Sequence, residues 1–136
     1  MNAYGAYQNS VDSEITSSEP LELTRLLYQG AIDALRRSRA AAERQDVAER
    51  NRQAARATAI IAELARALEP ERAPDLAARL AQIYEYAIFR IQQCIFDQRM
   101  EGTVEIEKLL ATLLEGWKSI PVARLDGSLL VDMTAA

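Results

Sequence analysis

One stretch, Leu76 to Phe96 (LAARLAQIYEYAIFRIQQCIF), constrains the fold of this chain more than any other. It holds neither Pro nor Gly. A helix turns by about 100° per residue, so positions three, four and seven apart share a face. Leu76, Leu80, Ile83, Tyr84, Ala87, Ile88, Ile91, Cys94 and Ile95 form one such face, the ordinary stripe of a core-facing helix. Tyr86, Phe89 and Phe96 fall on roughly the opposite side, interleaved with Gln82, Glu85 and Gln93. A helix that is apolar on two sides either sits in the middle of its domain or lends its second side to something else. The rest of the chain has to cover the first face. Whatever it leaves open on the second is a candidate binding surface.

Three further helices are legible. The first starts at Ser18-Glu19-Pro20, with Ser18 as N-cap, Pro20 in the first turn and Glu19 and Glu22 at the positive end of the dipole, and runs to about Glu43. Leu23, Leu26, Leu27, Gly30, Ala31, Ala34 and Leu35 form its stripe, widened by Tyr28 and Ile32. After a turn at Arg44-Gln45, Asp46 and Glu49 have the spacing of a capping box. The second helix then runs to about Leu68, and the many Ala on these two helices predict a closely packed hairpin. Pro70 and Pro74 break the chain. Asp75 is the expected cap of the third helix, which should end near Arg99 before Gly102. Thr103 is the expected cap of the fourth, with Glu105 and Glu107 in its first turns, Ile106, Leu109, Leu110, Leu113, Leu114 and Trp117 as its stripe, and Pro121 beyond its end. Four amphipathic helices with short loops predict an all-α, antiparallel up-and-down four-helix bundle. It occupies residues 19–120, between an N-terminal arm at 1–18 and a C-terminal tail at 121–136 that is read as flexible.

Several kinds of chemistry are missing. The chain has no His, which excludes Ser-His and Cys-His catalysis, Glu-x-x-His di-iron sites and a phosphorylated His. With one Cys besides, metal ligation and an internal disulfide are not expected; Cys94 lies on the core stripe and reads as a buried, inert thiol. No phosphate-cradling Gly loop is present. The carboxylate pairs Glu19/Glu22 and Glu105/Glu107 are both explained by complementing helix dipoles. Neither an enzyme nor a bound cofactor is expected. The net charge of −4 disfavours nucleic acid, although seven Arg against three acids between Arg36 and Arg56 make one basic region. That region reads either as a solvated hairpin end or as an anionic docking site. No stretch has the ~20 apolar residues of a membrane span, and the N-terminus lacks the pattern of a signal peptide, so a cytosolic protein without membrane insertion is expected.

The arm and the first helix carry a resemblance. Ala6-Tyr7-Gln8, then Val11, then Ser17-Ser18-Glu19-Pro20-Leu21-Glu22-Leu23, then Leu26-Leu27-Tyr28-Gln29-Gly30-Ala31 resembles the flagellin export chaperone family, FliS. Ile83-Tyr84-Glu85-Tyr86 is similar to a Tyr-aspartate-Tyr segment of the family, with Glu85 in place of the aspartate, and Trp117 is similarly placed. Glu19, standing between Ser18 and Pro20, is a small departure, and residues 121–136 match nothing in the pattern. The resemblance implies a small helical bundle of the bacterial cytosol that holds the disordered C-terminal segment of flagellin, prevents its premature polymerisation and assists type III export. It implies the flagellar export gate and other flagellar regulators as further partners.

Residue reading and resemblance meet on the third helix. Tyr86, Phe89, Gln93 and Phe96 have the spacing of a face that binds a partner helix, and Gln82 and Gln93 can hydrogen-bond to it. Tyr4 and Tyr7 of the arm and Tyr28 of the first helix complete the expected partner-binding set. The sequence leaves open whether the fourth helix or the arm covers this face. It also leaves open a homodimer, or an adaptor for another helix, built through the same stripe.

Overall fold

The computed structural model describes residues 20–119, which form four helices and no strand. These are α1 (Pro20–Glu43), α2 (Val47–Arg66), α3 (Pro74–Asp97) and α4 (Glu101–Lys118). Neighbours in sequence pack side by side and α4 returns to α1, which closes a ring. Short connections make each helix antiparallel to the next, so the chain is an up-and-down bundle, as the periodicity predicts. The arm and the tail, with Tyr4, Tyr7 and the Ser18 cap, lie outside the described residues.

The core is the sum of the four inner stripes. Leu35, Ile61, Ile91, Ile106 and Leu110 are fully buried at its centre. Ala31, Ala34, Ala41, Ala54 and Ala57 are buried between α1 and α2, where their small side chains allow the close approach expected of the hairpin. There the Ser38 hydroxyl donates to the Arg50 carbonyl at 2.8 Å. Among the described residues no helix is long and apolar enough to cross a membrane.

The turns show local chemistry only partly visible beforehand. Asp46 caps α2 by accepting the Glu49 N–H at 3.1 Å. The reciprocal half of the capping box does not form, because the Glu49 carboxylate is taken by Arg52 and Gln53. Gln45 and Gln98 both adopt left-handed backbone, with φ of 61° and 57°. Each closes the preceding helix with a paired carbonyl motif: Gln45 N–H to Ala42 with Asp46 N–H to Ala41, and Gln98 N–H to Ile95 with Arg99 N–H to Cys94. Glutamine is a rare choice there, since a side chain costs roughly 1–2 kcal/mol in that conformation; the two stops lie close to the expected ends near Glu43 and Arg99, but residue type does not announce the left-handed closure.

Two expected caps are corrected. α3 begins at Pro74, its N-cap is Ala73, and Asp75 makes no capping bond. Pro74 suits the first helical position because its missing N–H would have no partner there anyway. α4 begins at Glu101, so Gly102 and Thr103 lie inside its first turn. Gly102 is needed for close approach: a Cβ there would lie 2.6 Å from Cys94 Sγ and 2.7 Å from Arg90 Cζ.

Candidate interaction face

The inner stripe of α3 sets the rotation of the helix. Leu80, Tyr84, Ala87, Ile91 and Cys94 face the core, and this turns Phe89 and Phe96 straight outwards. Phe89 is 61% exposed and Phe96 88%. Tyr86, 45% exposed, leans towards α4. Gln82 and Gln93 are exposed on the same side of α3. α4 therefore leaves the two phenylalanines uncovered, which removes the reading in which the fourth helix hides this face.

A polar chain joins the rim of the face to α4. The Tyr86 hydroxyl donates to both carboxylate oxygens of Glu105, each at 2.9 Å. Arg90 donates from Nε to Glu105 Oε1 at 3.3 Å and from Nη1 to Gln93 Oε1 at 3.0 Å. The hydrogen bond to Glu105 pushes the Tyr86 pKa up and likewise raises that of Arg90. Tyr86 thus remains a protonated donor. At the nearby α3–α4 turn a cleft of about 260 Å³ is lined by Arg90, Cys94, Asp97, Arg99, Glu101 and Gly102. Its charged lining suits an apolar side chain poorly.

One expected site residue is elsewhere. Tyr28 is fully buried, and its hydroxyl meets that of Tyr84 at 2.5 Å in the bundle interior. It has no surface to offer a partner, so it supports the fold from within. The stripe of α1 placed it beside the apolar positions, but its angle lay at the edge of that stripe and did not decide between core and surface.

The acids of α4 also divide by direction. Glu105 and Glu107 are two residues apart and therefore point about 200° apart. Glu105 serves α3. Glu107 reaches α1, where it accepts from Arg39 and, at 2.9 Å, from Arg36 Nε. Arg39 also donates to the buried Thr103 hydroxyl oxygen at 3.3 Å. Partial burial pushes the Glu107 carboxyl up, but the hydrogen bonds and charges of Arg39 and Arg36 outweigh it and hold the pKa below its ordinary value. Arg52 pairs with Glu49, and Arg50 is buried. Of the basic region, Arg50 is buried and Arg39 and Arg56 are half-buried, while Arg36, Arg37, Arg44 and Arg52 are exposed, Arg36 and Arg52 within ion pairs. At the other end of the bundle, Arg25 of α1 donates to the Trp117 and Lys118 carbonyls at 3.1 and 3.3 Å, satisfying acceptors that α4 leaves open at its end.

Comparison with known proteins points the same way as the bundle. The family model described as flagellar protein FliS matches residues 2–124. The chain is 32% identical over 121 residues to the flagellar secretion chaperone FliSB of Pseudomonas aeruginosa, covering 88% of this chain and 96% of the relative. It is 33% identical over 114 residues to the flagellar secretion chaperone FliS of Salmonella typhimurium, covering 83% and 84%. With the flagellar secretion chaperone FliS of Bacillus subtilis it shares 29% over 117 residues, covering 86% and 84%. Over nearly its whole length, then, the chain belongs to the FliS family of flagellar proteins, a family of chaperones and not of enzymes.

Proposed function

We propose that this protein is a cytosolic flagellar export chaperone that binds the disordered C-terminal segment of flagellin along the outer face of α3 and so prevents its premature polymerisation. Membership of the FliS family supports the export-chaperone role. The observation that carries the site is the exposure of Phe89 and Phe96, 61% and 88%, on the outward line of one helix. Two large aromatic side chains held in water by a rigid helix are an unmet demand for apolar contact. Covering both stabilises a complex by roughly 3–6 kcal/mol at about 1.5–3 kcal/mol per side chain. A disordered client spends several kcal/mol on ordering as it binds, so it needs anchors of this size. Binding is stoichiometric: the chaperone occupies the segment and releases it at the export machinery.

Calorimetric titration with a peptide of the C-terminal flagellin segment from the same organism tests this. One-to-one binding with a negative heat-capacity change is the expected result. Failure of the peptide to bind a well-folded monomer would overturn the reading. A concentration-dependent dimer that excludes the peptide would reassign the face to self-association.

A further inference from the structure

We infer that Gln93 determines specificity on this face, because Arg90 locks its side-chain amide so that the NH₂ group is offered to a hydrogen-bond acceptor on the bound segment. The inference rests on reading the α3 face as the flagellin site. A guanidinium can only donate. The 3.0 Å contact from Arg90 Nη1 must therefore be made with the Gln93 carbonyl oxygen. That choice settles which end of the amide is spent and leaves the nitrogen, on an exposed side chain, as the free end. Arg90 also donates to Glu105 through Nε, and this second contact favours the position of the guanidinium that holds the amide.

Tyr86 is polarised in the opposite sense. A carboxylate can only accept, so the Tyr86 hydroxyl spends its proton on Glu105 and keeps an oxygen able to accept. Tyr86 and Gln93 are seven residues apart, as are Phe89 and Phe96. Seven residues of helix advance about 10.5 Å. The face thus carries an apolar row beside a polar row of equal pitch, with an acceptor at one polar position and a donor at the other. The matching partner is a helix with apolar residues about seven apart and an acceptor oxygen opposite Gln93, from Asp, Glu, Asn, Gln or the open carbonyls of a helix end. A segment that placed Lys or Arg there would bring donor against donor, and both would lose their solvation for nothing.

The test titrates the flagellin C-terminal peptide into Gln93→Glu, Gln93→Ala, Arg90→Leu, the Arg90→Leu/Gln93→Ala double variant and a Phe89→Ala/Phe96→Ala control. Gln93 is exposed, so its variants fold, and thermal melts of each protein check the rest. Replacing the amide donor by a carboxylate in Gln93→Glu is expected to weaken binding about tenfold. Arg90→Leu is expected to weaken binding in the otherwise native protein and to change little once Gln93 is already Ala, because its effect passes through Gln93. Binding of Gln93→Glu within about twofold of the native protein, while the phenylalanine control fails to bind, would overturn the donor role and leave the face standing. An equal effect of Arg90→Leu in both backgrounds would overturn the positioning role. Native-like binding by the phenylalanine control would overturn the face and this inference with it.

Discussion

The hydroxyl oxygens of Tyr28 and Tyr84 meet at 2.5 Å between α1 and α3, the two helices that face each other across the ring. Their rings lie 6.3 Å apart at 56°, and the Trp117 indole packs on Tyr28 at 6.5 Å. Burial is the main force pushing both pKa values above that of a free tyrosine, so both hydroxyls stay neutral and one donates to the other. The bond satisfies two polar atoms that would otherwise be stranded in the core.

Removing one partner should therefore cost more than removing both. Tyr84→Phe leaves the Tyr28 hydroxyl buried without its partner hydroxyl, at an expected cost of about 1–3 kcal/mol, and Tyr28→Phe does the converse. The double variant should be no less stable than either single one. Denaturant unfolding followed by the fluorescence of Trp117, the only tryptophan, measures this. Simple additivity of the two single costs would show that the hydroxyls do not depend on each other.

Truncating the outward phenylalanines should separate binding from stability. Phe89 and Phe96 contribute little to the core, so Phe89→Ala with Phe96→Ala is expected to shift unfolding by less than about 0.5 kcal/mol per site, as surface changes do. Loss of roughly 3–6 kcal/mol of apolar contact should lower affinity for the flagellin peptide by at least about 100-fold. A double variant that unfolds would instead place the pair in the core.

Glu107 gives the α1–α4 seam a pH dependence with a definite sign. Its pKa is lower folded than its ordinary value of 4.5. Its stabilisation is therefore complete above about pH 4.5 and is lost as pH falls through the lower folded value. Glu107→Gln should cost about 1–3 kcal/mol at pH 7, since the bonds it loses come from charged donors. The gap between variant and native protein should narrow as pH falls from about 4.5 through the lower folded value. A gap that stays constant down to pH 3 would mean the charge of Glu107 is not what holds the seam.

Gly102→Ala should destabilise despite the better helix propensity of Ala, which favours it by about 1 kcal/mol. The new methyl would lie 2.6 Å from Cys94 Sγ and 2.9 Å from Arg90 Nε. Arg90 is long enough to swing aside, but Cys94 is buried and short. A net loss of about 1–2 kcal/mol is expected from this overpacking. Adding Cys94→Ala should recover most of it, and failure to recover would place the strain elsewhere.

The elements themselves were legible because the apolar period of 3.6 residues is strong in all four helices and Pro70, Pro74 and the Asp46 cap mark their ends. The same period put Phe89 and Phe96 on the side of α3 opposite Leu80, Tyr84, Ala87 and Ile91, but it left open whether another helix covers that side, and their exposure was decided by where α4 packs. Where a helix starts was less legible. Asp75 and Thr103 are good caps by residue type, but Pro74 and Glu101 took the first helical positions, because backbone geometry at a tight turn weighs more than side-chain preference.

Sequence alone thus determined the number and approximate length of the helices, the bundle class and the side of α3 that faces the core, since these depend on contacts a few residues apart. Only tertiary structure decided that α4 leaves Phe89 and Phe96 uncovered, that Tyr28 pairs with Tyr84 inside the core, that Glu105 serves α3 while Glu107 serves α1, that Gly102 admits Cys94 and Arg90, and that Arg90 donates to Gln93. Each of these depends on which helix lies opposite and at what height. Packing of whole helices sets that relation, and no local pattern along the chain records it.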